Sequence, residues 1–207
     1  MKILRIHCSP RVRESESHRL ADAIVAFLTE RYPAAAVVDR RLAQGTISHV
    51  DGEYADVLGG HGGSEEGSAA KSLAESERLI QELEAADCVV IGTPMHNYTV
   101  PSALKAWVDH VVRVHRTFRP TPQGKVGTLR DRPVYVAVSS GSLYSSGRSR
   151  QPDFLTPYLT AVLNTIGLRD LHFFSVQGTA FGAQARGDAR SKVQQELADH
   201  FAALAAA

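Results

Sequence analysis

Cysteine is scarce in this chain: Cys8 and Cys88 are the two present in 207 residues. Two thiols cannot by themselves build a disulfide framework or a four-ligand metal site. No apolar run approaches the roughly 18 residues of a membrane-spanning helix, so no membrane partner is expected. The first seven residues hold too short an apolar stretch for a signal peptide, and a cytoplasmic location is expected. An excess of one charge is missing as well. Lys and Arg number 23 against 22 Asp and Glu, a net charge of +1, which argues against a dedicated nucleic-acid binder. There is no G-x-x-x-x-G-K-[ST], no G-x-G-x-x-G and no H-E-x-x-H, which disfavours an NTPase, a Rossmann-type site and a zinc protease. Nor is there a G-x-S-x-G elbow of the α/β-hydrolases. The nine histidines do not fall at metal-ligand spacing: His110 and His115, five apart, lie about 140° apart around a helix. No metal is therefore expected. What is present is ordinary for a globular protein, 43% hydrophobic and 22% charged. The length suits a single domain over residues 1–207, able to bury about 70% of its unfolded surface.

The pattern along the chain alternates. Residues 2–7 are apolar and short, residues 8–17 polar. Leu20, Ala23, Ile24, Phe27 and Leu28 then recur at helical spacing. Pro33 stops that helix, and Ala36-Val37-Val38-Asp39 reads as a second strand. Residues 43–70 read as a long glycine-rich insertion, carrying seven of the 16 glycines, the kind of loop that is usually a lid or a partner-flanking segment. Leu73, Leu79, Ile80 and Leu83 give another helix. Cys88-Val89-Val90-Ile91-Gly92 is a continuous apolar run, suited to the centre of a parallel sheet. Pro101 opens a helix carrying Leu104, Trp107, Val108, Val111 and Val112. Residues 115–132 read as an extended loop or small hairpin and residues 133–138 as a strand. A helix through Leu155, Leu159, Val162, Leu163 and Ile166 ends at Gly167. Residues 171–176 give a last strand and residues 191–204 a last helix. Strand followed by helix, five times over, predicts an α/β fold: a doubly wound, parallel, five-stranded sheet of flavodoxin-like order 2-1-3-4-5.

In such sheets ligands bind beyond the carboxyl ends of the strands, at the switch point. That brings together residues 9–17, 93–100 and 139–147. Ser9, Ser15 and Ser17 precede a helix whose free N–H groups favour a phosphate, with Arg11 and Arg13 near; Ser15 or Ser17 serves equally well as a plain cap. Pro94-Met95-His96-Asn97-Tyr98 can edge a flat heteroaromatic ring, or simply anchor a loop to the core. Ser139-Ser140-Gly141-Ser142 permits close backbone approach, or is a plain strand-to-helix turn. Meeting at one place, the three loops suit a mononucleotide with a flat ring, and flavin mononucleotide (FMN) fits best. Asp39, without a glycine turn before it, reads as a salt-bridging residue. Cys8 invites comparison with a phosphatase nucleophile, but a Cys-x5-Arg loop would need arginine where Glu14 stands, so Cys8 reads as a small buried residue. Arg113, Arg116 and Arg119 read as a solvated face, with Arg116 and Arg119 the pair suited to attract a nucleotide phosphate.

These motifs resemble those of the FMN-dependent NADH-azoreductases, also described as NADH:quinone oxidoreductases of flavodoxin-like fold. Ser9 with Ser15-Glu16-Ser17 resembles the family's phosphate loop. Pro94-Met95-His96-Asn97-Tyr98 resembles its Pro-Met-Tyr-Asn-Phe ring loop, followed by a similar Leu104-Lys105-x-Trp107-x-Asp109 helix. Thr117-Phe118-Arg119, Leu155-Thr156-Pro157-Tyr158-Leu159 and Gly178-Thr179-Ala180-Phe181-Gly182 also resemble family segments. The departures are His96 for the usual Tyr, Tyr98 for the usual Phe, and Ser139-Ser140-Gly141-Ser142 for the common Ser-Arg-Gly-Gly. The resemblance implies a homodimer with two FMN. It implies ping-pong hydride transfer, NADH or NADPH giving electrons that a quinone or azo compound then takes. The flavin carries the chemistry, so no catalytic triad is expected; the His96 imidazole is suited to donate a proton or hydrogen bond near the ring, or simply to shape the pocket. The competing readings are a flavodoxin-like FMN electron carrier without NAD(P)H oxidation, and a Cys8 phosphatase of similar architecture.

Overall fold

The computed structural model describes residues 1–11, 14–42, 45, 47–59, 68–145, 147 and 149–206. Arg13 and the glycine-rich run 60–67 lie outside the described residues. The elements, in chain order, are β1 (Lys2–His7), α1 (Glu16–Arg31), β2 (Ala36–Arg41), α2 (Gly52–Gly59), α3 (Ser68–Ala85), β3 (Cys88–Pro94) and α4 (Ser102–Val111). They continue with β4 (Phe118–Thr121), β5 (Gly124–Gly127), β6 (Val134–Ser139), α5 (Leu155–Ile166), β7 (Leu171–Val176) and α6 (Ala183–Ala206). The main sheet has the order β2-β1-β3-β6-β7, and every pairing in it is parallel. With the small antiparallel β4–β5 hairpin set aside, this is the order 2-1-3-4-5 read from the sequence.

Side-chain alternation on the strands divides the core between the two faces of the sheet. Ile3, Cys88, Val90 and Tyr135 pack with Leu20 and Ile24 of α1 and Val193 and Leu197 of α6. Leu4, Ile6, Val89, Ile91 and Val136 pack with Leu79 of α3, Leu104 and Trp107 of α4, and Leu159 of α5. β3 is buried along all but its last residue, as its unbroken apolar run requires.

Three boundaries differ from the sequence reading, each for a physical reason. Residues 43–70 are not one irregular loop. The Asp51 carboxylate accepts the Tyr54 N–H at 2.8 Å and so caps α2, while Tyr54 is buried with its ring edge-to-face against His110 at 5.7 Å. His110, itself buried, places Nε2 2.9 Å from the Ser48 carbonyl, tying the segment to α4. Pro101 is the N-cap of α4 rather than its first residue, a one-residue shift of the kind helix ends show. α6 starts eight residues before Ser191, because none of its opening eight residues is buried and they carry no apolar period to read.

Charge pairs explain two further positions. Asp39 is bridged by Arg5 at 2.7 Å and lies 3.2 Å from His7, as expected of a salt-bridging residue. Arg116 is engaged by Glu77 at 2.8 Å and by Glu84 at 2.6 Å. The guanidinium of Arg116 holds the Glu77 carboxyl down to about 2. The expectation that Arg116 attracts a nucleotide phosphate is therefore corrected: α3 carboxylates already neutralise it. Arg119 is exposed on β4.

One close approach positions α1. A Cβ on Gly92 would stand 2.9 Å from the Ser17 carbonyl oxygen and 3.1 Å from the Ala21 Cβ, so only glycine lets the first turns of α1 lie directly on β3. Gly92→Ala should destabilise the fold by about 2 kcal/mol through overpacking, lowering the melting temperature by about 4–8 °C. Thermal denaturation followed by circular dichroism checks this; an unchanged midpoint would contradict the contact.

Candidate functional site at the carboxyl edge of the sheet

β1, β3 and β6 deliver their following loops to one edge. Backbone hydrogen bonds stitch the loops together: Cys8 N–H donates to the Gly92 carbonyl (2.9 Å), Met95 N–H to Ser139 (2.7 Å), and Ser140 N–H to Val176 (3.0 Å). The last segment returns over the third loop, where Thr179 N–H donates to Ser140 and Ala180 N–H to Gly141, each at 3.1 Å. Two adjoining clefts result. One, of about 400 Å³, runs from Ser9 and the first turn of α1 to Pro94, Met95, His96 and Ser139. The other, also about 400 Å³, is lined by Asn97, Tyr98, Ser142, Gln151 and Phe181. Met95, Ser140, Gly141 and Ala180 border both. Each is of ordinary ligand-pocket size.

At the α1 end, Ser15 is the N-cap and its Oγ accepts the His18 N–H at 3.5 Å. Ser9 Oγ accepts the Arg11 N–H at 3.2 Å. Glu14 precedes the cap with φ +60°, a left-handed turn that feeds the chain into the helix. Ser17 is not in the loop; it is the second residue of α1, fully buried, with Oγ 3.1 Å from that of Ser15. It supports Ser15 from behind rather than lining the cleft. Beside it, burial holds the His18 imidazole down to about 4, so that ring is neutral near pH 7. The Glu16 carboxylate is bonded to Arg190 of α6. Arg11 and Arg186 complete this end.

At the other end the ring loop is a two-residue hairpin turn. His96 and Thr99 exchange N–H···O bonds of 2.9 and 3.0 Å around Asn97 (φ +48°) and Tyr98 (φ +72°). Two positive φ angles define a type I′ turn. A tyrosine at the second position stores strain of the order of 1 kcal/mol. The turn holds together because the Tyr98 carbonyl accepts the Phe154 N–H at 3.0 Å. His96 is exposed on the rim, and Met95 is buried beneath it.

Gln151 carried no signal in the sequence, yet it joins the second and third loops: its Nε2 lies 2.9 Å from both Met95 Sδ and Ser140 Oγ. Thr179, Ala180 and Arg186 also line the cleft; the family-like sequence of residues 178–182 signals the first two, and nothing local signals Arg186.

Cys8 is fully buried, and burial pushes its thiol well above the ordinary range; Cys88 is pushed up to about 12. Neither forms the thiolate a phosphatase nucleophile needs. Among the described residues no group of three or more His, Cys, Asp or Glu side chains is placed to hold a metal ion. No helix among them is long and apolar enough to cross a membrane.

A five-stranded doubly wound sheet with an extended polar cleft at its switch point defines the class: an α/β protein that binds a small molecule across the ends of its central strands. The family described as having a flavodoxin-like fold matches residues 1–201. The chain is 48% identical over 183 residues to FMN-dependent NADH:quinone oxidoreductase 4 of Pseudomonas fluorescens, covering 88% of this chain and 87% of that protein. It is 45% identical over 188 residues to FMN-dependent NADH:quinone oxidoreductase 2 of Cupriavidus pinatubonensis, covering 90% and 91%. The chain belongs to the flavodoxin-like fold family and, within it, to the FMN-dependent NADH:quinone oxidoreductases. Its fold is also that of a solved FMN-dependent NADH-azoreductase from Bacillus anthracis in complex with FMN, with TM-score 0.82, 24% identity, and 96% of this chain and 98% of that one covered.

Buried thiols this weakly acidic should resist alkylation. Iodoacetamide at pH 8 should leave Cys8 and Cys88 of the native protein unmodified and label both in guanidinium chloride, as read by mass spectrometry. Rapid labelling of native Cys8 would return it to consideration as a nucleophile.

Proposed function

We propose that the protein is an FMN-dependent oxidoreductase that passes electrons from NADH to quinones and azo compounds, acting as a single domain in the cytoplasm. Relatives at 45–48% identity that bear this activity in their names support it. The observation that carries it here is the shape and chemistry of the double cleft. One end is a helix start with serine hydroxyls, matched to a phosphate. The other is a partly apolar cleft bordered by Met95, Gly141, Tyr98 and Phe181, matched to a ring.

The donor set fits FMN. Ser9, Ser15 and the backbone of Glu16 at the first turn of α1 hold the phosphate, with Ser17 fixing Ser15. Pro94, Met95, His96, Asn97 and Tyr98 hold one side of the ring. Ser139, Ser140, Gly141 and Ser142 hold its polar edge. A Cβ on Gly141 would meet one neighbour, the Ala180 Cβ at 3.6 Å, so the missing side chain leaves room that a ligand can fill. When bound, FMN supplies the capacity to accept a hydride from the nicotinamide and deliver electrons to an acceptor. The protein binds, orients and shields. His96, exposed at the cleft rim, shapes the mouth and offers a proton or hydrogen bond to an acceptor in this reading. In this reading the nicotinamide and the acceptor occupy the cleft in turn, the ping-pong order.

A homodimer completes the proposal. Tyr98, Phe154 and Phe181 are exposed aromatics, with Tyr98 and Phe181 at the ring-side cleft and Phe154 joined to Tyr98 through its backbone. A second copy covering them would close that side.

The purified protein, reconstituted with FMN if necessary, should be yellow, lose its visible flavin absorption on adding NADH under nitrogen, and regain it with benzoquinone. A bound flavin that NADH fails to bleach would leave an electron carrier; a chain that retains no flavin would overturn the reading.

A further inference from the structure

Glu16 fits poorly with a site for a phosphate. It is the first residue of α1, it lines the cleft beside Ser9 and Ser15, and its side chain is only 10% exposed. A carboxylate there repels a phosphate dianion, and the helix start it occupies favours keeping the carboxylate charged. Protonation does not remove the charge, because the Arg190 guanidinium holds the Glu16 carboxyl below the usual range.

The compensation comes from α6. Arg190 donates from Nε to Glu16 Oε2 at 2.8 Å and from Nη2 to Oε1, a two-pronged pair of the strong kind. Its own side chain is 40% exposed, so the cation reaches in from the surface to a nearly covered anion. One turn earlier on the same helix, Arg186 lines the cleft directly and makes no ion pair among the described residues. Spaced i, i+4, the two arginines share a face of α6. One faces the cleft; the other meets the one carboxylate in the first turn of α1.

We propose that Arg190 is a positioning and charge-compensating residue of the cofactor site: by pairing with Glu16 it lets the first turn of α1 accept the phosphate of FMN, which makes the docking of α6 part of cofactor binding. This rests on the reading of the cleft as an FMN site. Arg190 touches no ligand in this scheme; it acts through Glu16.

The test compares FMN with riboflavin, which has the ring and lacks the phosphate, in fluorescence titrations of the full chain stripped of flavin. In Arg190→Met the FMN dissociation constant should rise at least about tenfold, as an uncompensated carboxylate near a dianion requires. Riboflavin affinity should change by less than about twofold, since no phosphate is present to be repelled. The double variant Arg190→Met/Glu16→Gln should bring FMN affinity back to within about threefold of the parent, the offending charge being gone. Arg190→Lys, which keeps the charge and loses the fork, should stay within about threefold as well. Unchanged FMN binding in Arg190→Met, equal loss for FMN and riboflavin, or no rescue in the double variant would each overturn the proposal. Should Arg190→Met fail to fold, the Lys and double variants decide it: either one as weak as tenfold down counts against it. A parent protein that binds neither flavin overturns the FMN reading itself, a result distinct from all of these.

Discussion

The contact between the first turns of α1 and Gly92 of β3 sets the position of everything functional in this molecule. Where a Cβ would collide with the Ser17 carbonyl, a bare backbone lets the helix settle on the strand. That seating carries Ser15 and Glu16 to the edge where β3 ends and the Met95 loop begins. The rest of the sheet serves this junction: β6 receives Met95 through Ser139, and the segment after β7 folds back on Ser140 and Gly141.

Around that junction the protein uses fixed backbone rather than reactive side chains. The two cysteines are buried and hard to ionise. The ring loop is a tight turn with two left-handed residues, braced by Phe154 and by Gln151. Such a site suits chemistry carried by a bound group, with the protein supplying shape and electrostatics. Electrostatics are handled locally. Arg190 answers Glu16, and Glu77 with Glu84 absorbs Arg116. Among the described residues, Arg11 and Arg186 are the arginines that line this cleft, so a chain of net charge +1 can still offer local positive charge to a phosphate.

Much of this was legible in the sequence, for reasons tied to particular residues. The apolar runs of β3 and β6 announce the centre of a parallel sheet because burial on both faces demands them, and the helical stripe from Leu20 to Leu28 announces the layer packed on it. The sites of the three loops followed from the fold rule, and the ring-loop motif named the family. Other features had no local signature. α2 sits in a glycine-rich stretch where only Asp51 before Gly52 hints at a cap. The early turns of α6 bury little. Tyr98 in a left-handed turn breaks the usual preference for glycine, so the type I′ turn cannot be read from Asn97-Tyr98. The bridging by Gln151 and the pairing of Arg190 with Glu16, 174 positions apart, exist only once the chain has folded. Ser17 reads like a ligand-facing hydroxyl, and only the folded helix turns it inward.

The central claim is that one cleft, started by α1 and finished by the 94–98 turn, holds FMN with its phosphate at the helix. A crystal structure of the protein with FMN tests this most directly. The account predicts the phosphate against Ser9, Ser15 and the first turn of α1, and the ring against Met95 and Gly141. A phosphate bound anywhere else, or a ring outside the cleft bordered by Met95 and Gly141, would contradict it.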